Sequence, residues 1–312
     1  MHVESGADRS NFSMPPPLVL ALLVVVLLVS VTVGSLLVVA VGTAFGFDMT
    51  NFGADAGVLT TSADRNRLRL VAGLNQVFTF LLPAMALAWI VHRGHALRYL
   101  NLSRLPGLRL TMVSALFMIS TFPLAQVLYQ WNSQLPLPTW MMDLENSTNA
   151  LISALLVADG LPELFANLIL IGIIPALGEE FLFRGILQKE LERWTGSGWM
   201  AVWIAAIIFS AIHFQFQGFL PRVALGAALG YVYLWTGNLW VPVLAHLLNN
   251  GLQVIVQYVT KTDVAGINPE DATPVPWWIV AGSMLLMTGL AMSLVAHFRT
   301  RSNKTEDYAF RG

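Results

Sequence analysis

Two carboxylates and a guanidinium interrupt an apolar run: GEEFLFRG, residues 178–185, follows LFANLILIGIIPAL without a break. Glu179, Glu180 and Arg184 therefore fall where a membrane-spanning helix is expected. Ionisable groups in hydrocarbon are costly, face the bundle interior and are functional candidates by default. Glu180 and Arg184, four residues apart, are neighbours on one helical stripe, and an ion pair is their cheapest arrangement. Glu179 is turned by about 100° from Glu180 and is left for another task. Two ionised carboxylates side by side in a low dielectric are unfavourable and Arg184 neutralises only one, so Glu179 is expected to call for a proton, a cation or a donor. A desolvated carboxylate of this kind is suited to take a proton from water and return it later. Ten residues, roughly 15 Å of helix at ~1.5 Å each, separate it from Lys189, which puts it near mid-depth.

Two further stretches carry matching groups. FSAIH sets Phe209 one turn before His213, and HLLNN sets His246 three residues before Asn249 and four before Asn250. Both amides share a face with His246, so spacing alone does not choose between them.

The elements that must position these groups are membrane helices. The 312-residue chain is 56% hydrophobic and 11% charged, with a mean hydropathy of +0.65, far more apolar than a soluble domain. Hydrocarbon about 30 Å thick needs roughly 20 apolar residues per crossing. About eight spans are expected, near 18–46, 69–91, 109–130, 162–188, 199–214, 219–236, 239–259 and 277–298. The fifth and sixth are interrupted by Gly218, Pro221 and Arg222, and that stretch could instead be re-entrant. The fold class expected is all-α, a polytopic helix bundle forming a single membrane domain, 1–312, with core helices at 160–260. Away from span ends the ionisable residues are Glu179, Glu180, Arg184, His213 and His246, drawn from three helices in one third of the chain, which implies one buried polar site.

Cytoplasmic loops are enriched in Lys and Arg. The connection holding Arg93, Arg98, Arg104 and Arg109 is accordingly expected inside. Alternation then places both tails, 1–17 and 299–312, in the cytoplasm, with Arg299, Arg301, Lys304 and Arg311 on the inner one. The acidic stretches with Asp143, Glu145, Asp159 and Glu163, and with Asp263, Glu270 and Asp271, fall outside. Arg65, Arg67 and Arg69 are an exception on the outer side. ENSTNALISALLVADG, 145–160, reads as a short amphipathic helix in the interface. The first apolar run is too long for a signal-peptide core and reads as a retained helix.

Several classes drop out. A net charge of −1 gives no reason to expect nucleic acid, and the absence of cysteine removes disulfides, thiol nucleophiles and Cys-ligated metals. There is no His-Glu-x-x-His, no pair of mid-span aspartates, and GSGW at 196–199 is a loop without the helices a membrane serine protease needs. Gly226 and Gly230 read as close helix packing. His92, His95 and His297 sit at membrane edges, and Trp240, Trp277 and Trp278 at interfaces.

Taken in order, Glu-Glu-x-x-x-Arg (Glu179, Glu180, Arg184), Phe-x-x-x-His (Phe209, His213) and His-x-x-x-Asn (His246, Asn250) on successive helices resemble the CPBP family of intramembrane proteases. That family includes the type II CAAX prenyl endopeptidases and the bacteriocin-processing and immunity proteins. The resemblance covers roughly 160–260 and implies an eight-helix endopeptidase. Glu179 would activate a water, with His213, His246 and Asn250 around the scissile carbonyl. Glu180 with Arg184 would support the site, Phe209 would pack, and Asn249 stands as a neighbour of Asn250. Losing one oxyanion donor typically costs ~100- to 1000-fold in rate. Glu179, His213 and His246 could alternatively ligate a divalent metal, zinc above all, with water in the open position; metal-free water activation is slightly favoured. The implied partners are the bilayer and a peptide or membrane-tethered protein substrate, and the implied place is a bacterial inner membrane. The rival classes are a transporter or proton relay using the same groups, and an inactive immunity or scaffold protein.

Overall fold

A computed structural model of the chain describes residues 14–49, 61–261 and 274–309, with side chains as far as residue 296 in the last stretch. The loop with Asp263, Glu270 and Asp271, residues 1–13, and the side chains of His297 and of 299–312 lie outside the described residues.

All regular structure among the described residues is helical. We number the helices α1 (Pro16–Ala44), α2 (Ser62–Tyr99), α3 (Leu108–Ser133), α4 (Thr139–Leu156), α5 (Leu161–Thr195), α6 (Gly198–Ala211), α7 (Phe219–Thr236), α8 (Trp240–Thr260) and α9 (Trp277–Ala309). Of the described helices, α1, α2, α3, α5 and the Trp277–Ala296 part of α9 are long and apolar enough by themselves to cross a membrane. The expected spans at 199–214, 219–236 and 239–259 are helical but do not reach that standard. α6 has only 14 residues, about 21 Å at ~1.5 Å each. α7 and α8 have the length, but Arg222, His246, Asn249 and Asn250 dilute their hydropathy.

α7 and α8 both pack against α3, and α8 also against α5. α1 and α9 present large hydrophobic side chains outward, such as Leu28, Leu36 and Leu285, a surface that in water would drive aggregation and in a bilayer meets lipid tails. α5 lies between α2 and α8, with α6 and α7 packed side by side next to it. Its core contacts include Phe80, Ala84 and Leu87 from α2 against Ala176, Phe183 and Ile186.

α7 approaches α6 and α5 closely through glycine. A Cβ at Gly226 would stand 3.4 Å from the backbone of Ala206, and one at Gly230 only 2.9 Å from Gln188 Oε1. The bare backbone exposes two carbonyls one turn apart. Arg184 donates to Gly226 O at 2.8 Å and Gln188 to Gly230 O at 3.0 Å, a two-rung ladder on matching i, i+4 spacings. The expectation of close packing at these glycines is met, with hydrogen bonds in addition.

Polar clusters fasten the two ends of α5. At its start, Arg65 pairs with Asp159 and with Glu163, the latter at 3.2 Å, while Arg69 donates to Asn167 at 2.7 Å. Arg65 and Arg69 are buried in this network, where they answer acids on α5 and the preceding turn, while Arg67 is exposed and pairs with Asp64 at 3.2 Å. A cleft of about 410 Å³ lined by Ser62, Asn66, Asp159, Gly160, Pro162 and Glu163 opens beside it. At the other end buried Glu190 accepts from Tyr99 Oη and from Arg193, each at 2.6 Å. The amphipathic segment is helical but starts earlier than expected, at Thr139, and ends at Leu156.

Gly230→Val should push α7 off Val202 of α6 and displace Gln188 of α5, costing about 1–3 kcal/mol by overpacking. A lowered melting temperature of the purified protein in detergent checks this, and an unchanged one would mean the ladder is not a tight contact.

Candidate active site

The local structure of α5 is set by Pro175. Proline has no N–H to give the carbonyl four residues back, here Ile171, and its ring crowds that turn. The helix responds by widening into a π-turn over Leu168–Ile173, then returns to α geometry over Ile174–Leu182, the turns that carry Glu179 and Glu180. A second π-turn, Phe183–Gln188, carries Arg184, and such bulges are frequent at functional sites. The Glu180–Arg184 pairing survives it, with Nη1 donating to Oε1 at 2.7 Å.

Arg184 is held at three points. One nitrogen bonds Glu180, another bonds Gly226 O, and the guanidinium lies 5.0 Å from the centre of the Phe209 ring. Phe209 also packs edge-on against Phe183 at 5.1 Å and lies 4.8 Å from the His213 ring and 6.3 Å from the His246 ring. It is the apolar wall between the two imidazoles, in keeping with its expected packing role.

His246, from α8, joins the two carboxylates. Its Nδ1 lies 2.8 Å from the same Glu180 Oε1 that Arg184 holds. An ionised carboxylate only accepts, so Nδ1 carries a hydrogen, and in the neutral ring Nε2 is then the acceptor. Nε2 lies 3.8 Å from Glu179 Oε2, beyond hydrogen-bond distance and close enough for one water to touch both atoms. Glu179, Glu180 and His246 are all buried.

His213 does not sit within a helix. The span expected at 199–214 ends at Ala211, and His213 occupies the turn that follows, half-buried. The cause is local: Phe214 adopts a left-handed backbone with φ of 53°, which α-helix cannot continue. The ring is held back against its own helix, with Nδ1 2.7 Å from Phe209 O. A carbonyl only accepts, so this nitrogen carries the hydrogen and Nε2 is again an acceptor.

Asn250 goes to α5. Its Nδ2 donates to Ile171 O at 3.1 Å, the carbonyl that Pro175 cannot serve, and its Oδ1 accepts from Asn249 Nδ2 at 2.9 Å. The two amides that spacing could not separate thus act as a pair, with Asn250 in contact with α5 and Asn249 behind it. One of the two Asn250 N–H bonds is spent on this staple. Among the described residues no three His, Asp or Glu side chains gather as a metal-ligand group, so Glu179, His213 and His246 do not meet as a ligand set in this arrangement.

Two residues near the site escaped the sequence reading. Arg222 on α7 is near enough for its charge to act on Glu179 and His213, while its hydrogen bonds go to Gln215 O and, at 2.6 Å, Gln215 Oε1. Glu145 on α4 is buried and accepts from the backbone of the loop after His213. Both were legible only as loop or interface charges, because their partners are distant in sequence.

Residues 161–252 match the family model described as type II CAAX prenyl endopeptidase Rce1-like. The uncharacterized protein YpbD of Bacillus subtilis is 37% identical over 86 residues, which are 26% of this chain and 41% of that protein. The putative membrane peptidase YdiL of the same organism is 32% identical over 90 residues, 29% of this chain and 36% of the relative. The membrane-embedded CAAX protease MroQ of Staphylococcus aureus is 30% identical over 105 residues, 32% of this chain and 39% of the relative. These matches span about two fifths of each relative's length. No solved structure matches. The resemblance read from the three motifs is therefore met on the segment that holds them all.

Arg184→Ala should leave Glu180 buried beside one imidazole and no cation. Breaking a buried pair in this way costs about 3–5 kcal/mol. The measurement is the unfolding midpoint of the variant against wild type, and near-equal midpoints would show that the pair is not what holds α5.

Proposed function

We propose that this chain is an intramembrane endopeptidase in which Glu179 activates the attacking water. The single observation that carries the reading is His246, fixed between the two acids with Nδ1 on Glu180 and Nε2 turned to Glu179 at 3.8 Å. The match of 161–252 to a family of peptidases supports the same reading.

The chemistry runs as follows. A water held between Glu179 and His246 Nε2 attacks the scissile carbonyl carbon, Glu179 takes one of its protons, and the C–N bond breaks as that proton passes to the leaving amine. Glu180 and Arg184 act through His246: a charged pair that accepts from Nδ1 keeps the ring in one tautomer, as a carboxylate behind a catalytic imidazole does elsewhere. His213, also with a bare Nε2, serves as a second acceptor for water or for the substrate N–H. The donor to the developing oxyanion is the second N–H of Asn250, and Phe209 keeps the imidazoles apart. Because Glu179, His213 and His246 do not assemble as a ligand set, no step is routed through a metal.

The substrate class is a peptide or a membrane-tethered protein segment. The protein works in a bacterial inner membrane as a single domain, with α6, α7 and α8 completing eight spans around the site and both tails in the cytoplasm. The burial of Arg65 and Arg69 in ion pairs supports that orientation, since it takes two of the three outer arginines out of the loop count and leaves Arg67, paired with Asp64.

Glu179→Gln should lower release of peptides from membranes by at least ~100-fold while the protein stays folded. Comparing peptides from wild-type and variant membranes by mass spectrometry measures this. Undiminished release from the variant would end the peptidase reading, and loss of ion flux in liposomes instead would point to a relay.

The chain has no cysteine, so single cysteines report topology cleanly. Leu135→Cys, exposed between α3 and α4, should react with an impermeant maleimide in intact cells, and Arg98→Cys only after permeabilisation. The reverse pattern would invert the orientation.

A further inference from the structure

His213 stands on a loop, and catalysis asks for its ring to be held to a fraction of an ångström. The Nδ1 bond to Phe209 O fixes the ring relative to α6, but the backbone beyond it is left-handed at Phe214, where L residues are strained. Something outside the loop must hold it.

The holding groups come from α3, α4 and α7. Glu145 Oε2 on α4 accepts from two successive backbone N–H groups, Phe216 at 2.8 Å and Gln217 at 3.0 Å. Asn132 on α3 donates to Phe216 O at 2.6 Å and accepts from Leu220 N at 3.0 Å. Gln215 donates to Asn149 Oδ1 on α4 at 2.8 Å and is gripped from the other side by Arg222. Trp140 packs edge-on against Phe216 at 5.8 Å.

Glu145 is the informative member. Its side chain is only 4% exposed, and among the described residues no Lys, Arg or His lies within ion-pair distance of it. A buried carboxylate with no cation in direct contact is expensive; here the charge of Arg222 acts on it from a distance, and the direct compensation is two charge-assisted bonds from consecutive amides, the arrangement by which backbone concavities bind anions. It accepts from two N–H groups of the loop between α6 and α7, where no helix supplies a partner.

We propose that Glu145 is a positioning residue for His213: α4 is a strap outside the core helices whose buried carboxylate pins the 214–218 loop and so sets where the His213 imidazole points. This rests on the peptidase reading for its consequence in turnover, and not for the geometry.

The test uses full-length protein in liposomes of phosphatidylethanolamine and phosphatidylglycerol, with internally quenched fluorescent peptides carrying an N-terminal acyl anchor. Glu145→Ala should lower kcat by about 10- to 100-fold with KM within about twofold, because misplacement of a group, and not loss of binding, is the defect. Glu145→Gln, whose amide oxygen can accept the same two N–H bonds, should restore most of the rate. Histidine 15N spectra should show His213 moving from a single Nδ1–H tautomer to a mixture in Glu145→Ala, while His246, held by Glu180, stays unchanged. Should Glu145→Ala fail to fold, Glu145→Asp, which keeps the charge but withdraws it by one methylene, should lower kcat about 3- to 10-fold. Wild-type kcat in the Ala or Asp variant, equal loss in Ala and Gln, or an unmoved His213 signal would overturn the proposal. Turnover persisting in Glu179→Gln would instead defeat the peptidase reading, and the His213 spectra would still decide the positioning role.

Discussion

The arrangement hangs on the compensation of one buried cation. Arg184 and Glu180 are almost wholly removed from solvent, and an unpaired charge at such a place costs several kcal/mol even after the surroundings relax. Glu180 Oε1 answers both Arg184 and His246 Nδ1, and the remaining reach of the guanidinium goes to Gly226 O and the face of Phe209. Four helices, α5, α6, α7 and α8, are thereby tied to one charge. The geometry of Glu179 follows: with its neighbour committed, it is the carboxylate left facing an acceptor nitrogen.

Helix irregularity supplies the second constraint. Backbone groups in hydrocarbon must find partners inside the protein. Pro175 leaves Ile171 O without its usual donor, α5 widens, and Asn250 from α8 meets that carbonyl. A side chain of the His-x-x-x-Asn motif thus repairs the helix that carries Glu179. Gly226 and Gly230 do the complementary work on α7, exposing carbonyls where Arg184 and Gln188 need acceptors. Polar groups in this bundle are placed where backbone demand and side-chain supply coincide.

The apolar helices and α4 divide the remaining labour. α1 and α9 spread hydrophobic side chains toward lipid, α1 packing on α2 and the end of α5, and α9 on α3 and α7. α4 secures the loop beyond α6. The result is a polar interior with an apolar jacket, which is the setting in which a carboxylate can act as a base near mid-depth.

Much of this was legible in the residues themselves. Helix class, the apolar segments, the concentration of ionisable groups in one third of the chain and the Glu180–Arg184 pair all follow from local spacing, because i, i+4 neighbours meet within one turn whatever the rest of the chain does. The packing of Phe209 and of the two glycines could be read in the same way. The tertiary structure decided what depends on helices crossing: that Glu180 is shared with His246, that Asn250 reaches Ile171, that Arg65 and Arg69 answer Glu163, and that Glu145 holds a loop 71 residues away. It also ended α6 before His213, where apolar periodicity ran on. Periodicity records which face of a helix is buried, not which partner is buried against it, and a hydrogen bond between distant segments leaves no repeating trace along the chain.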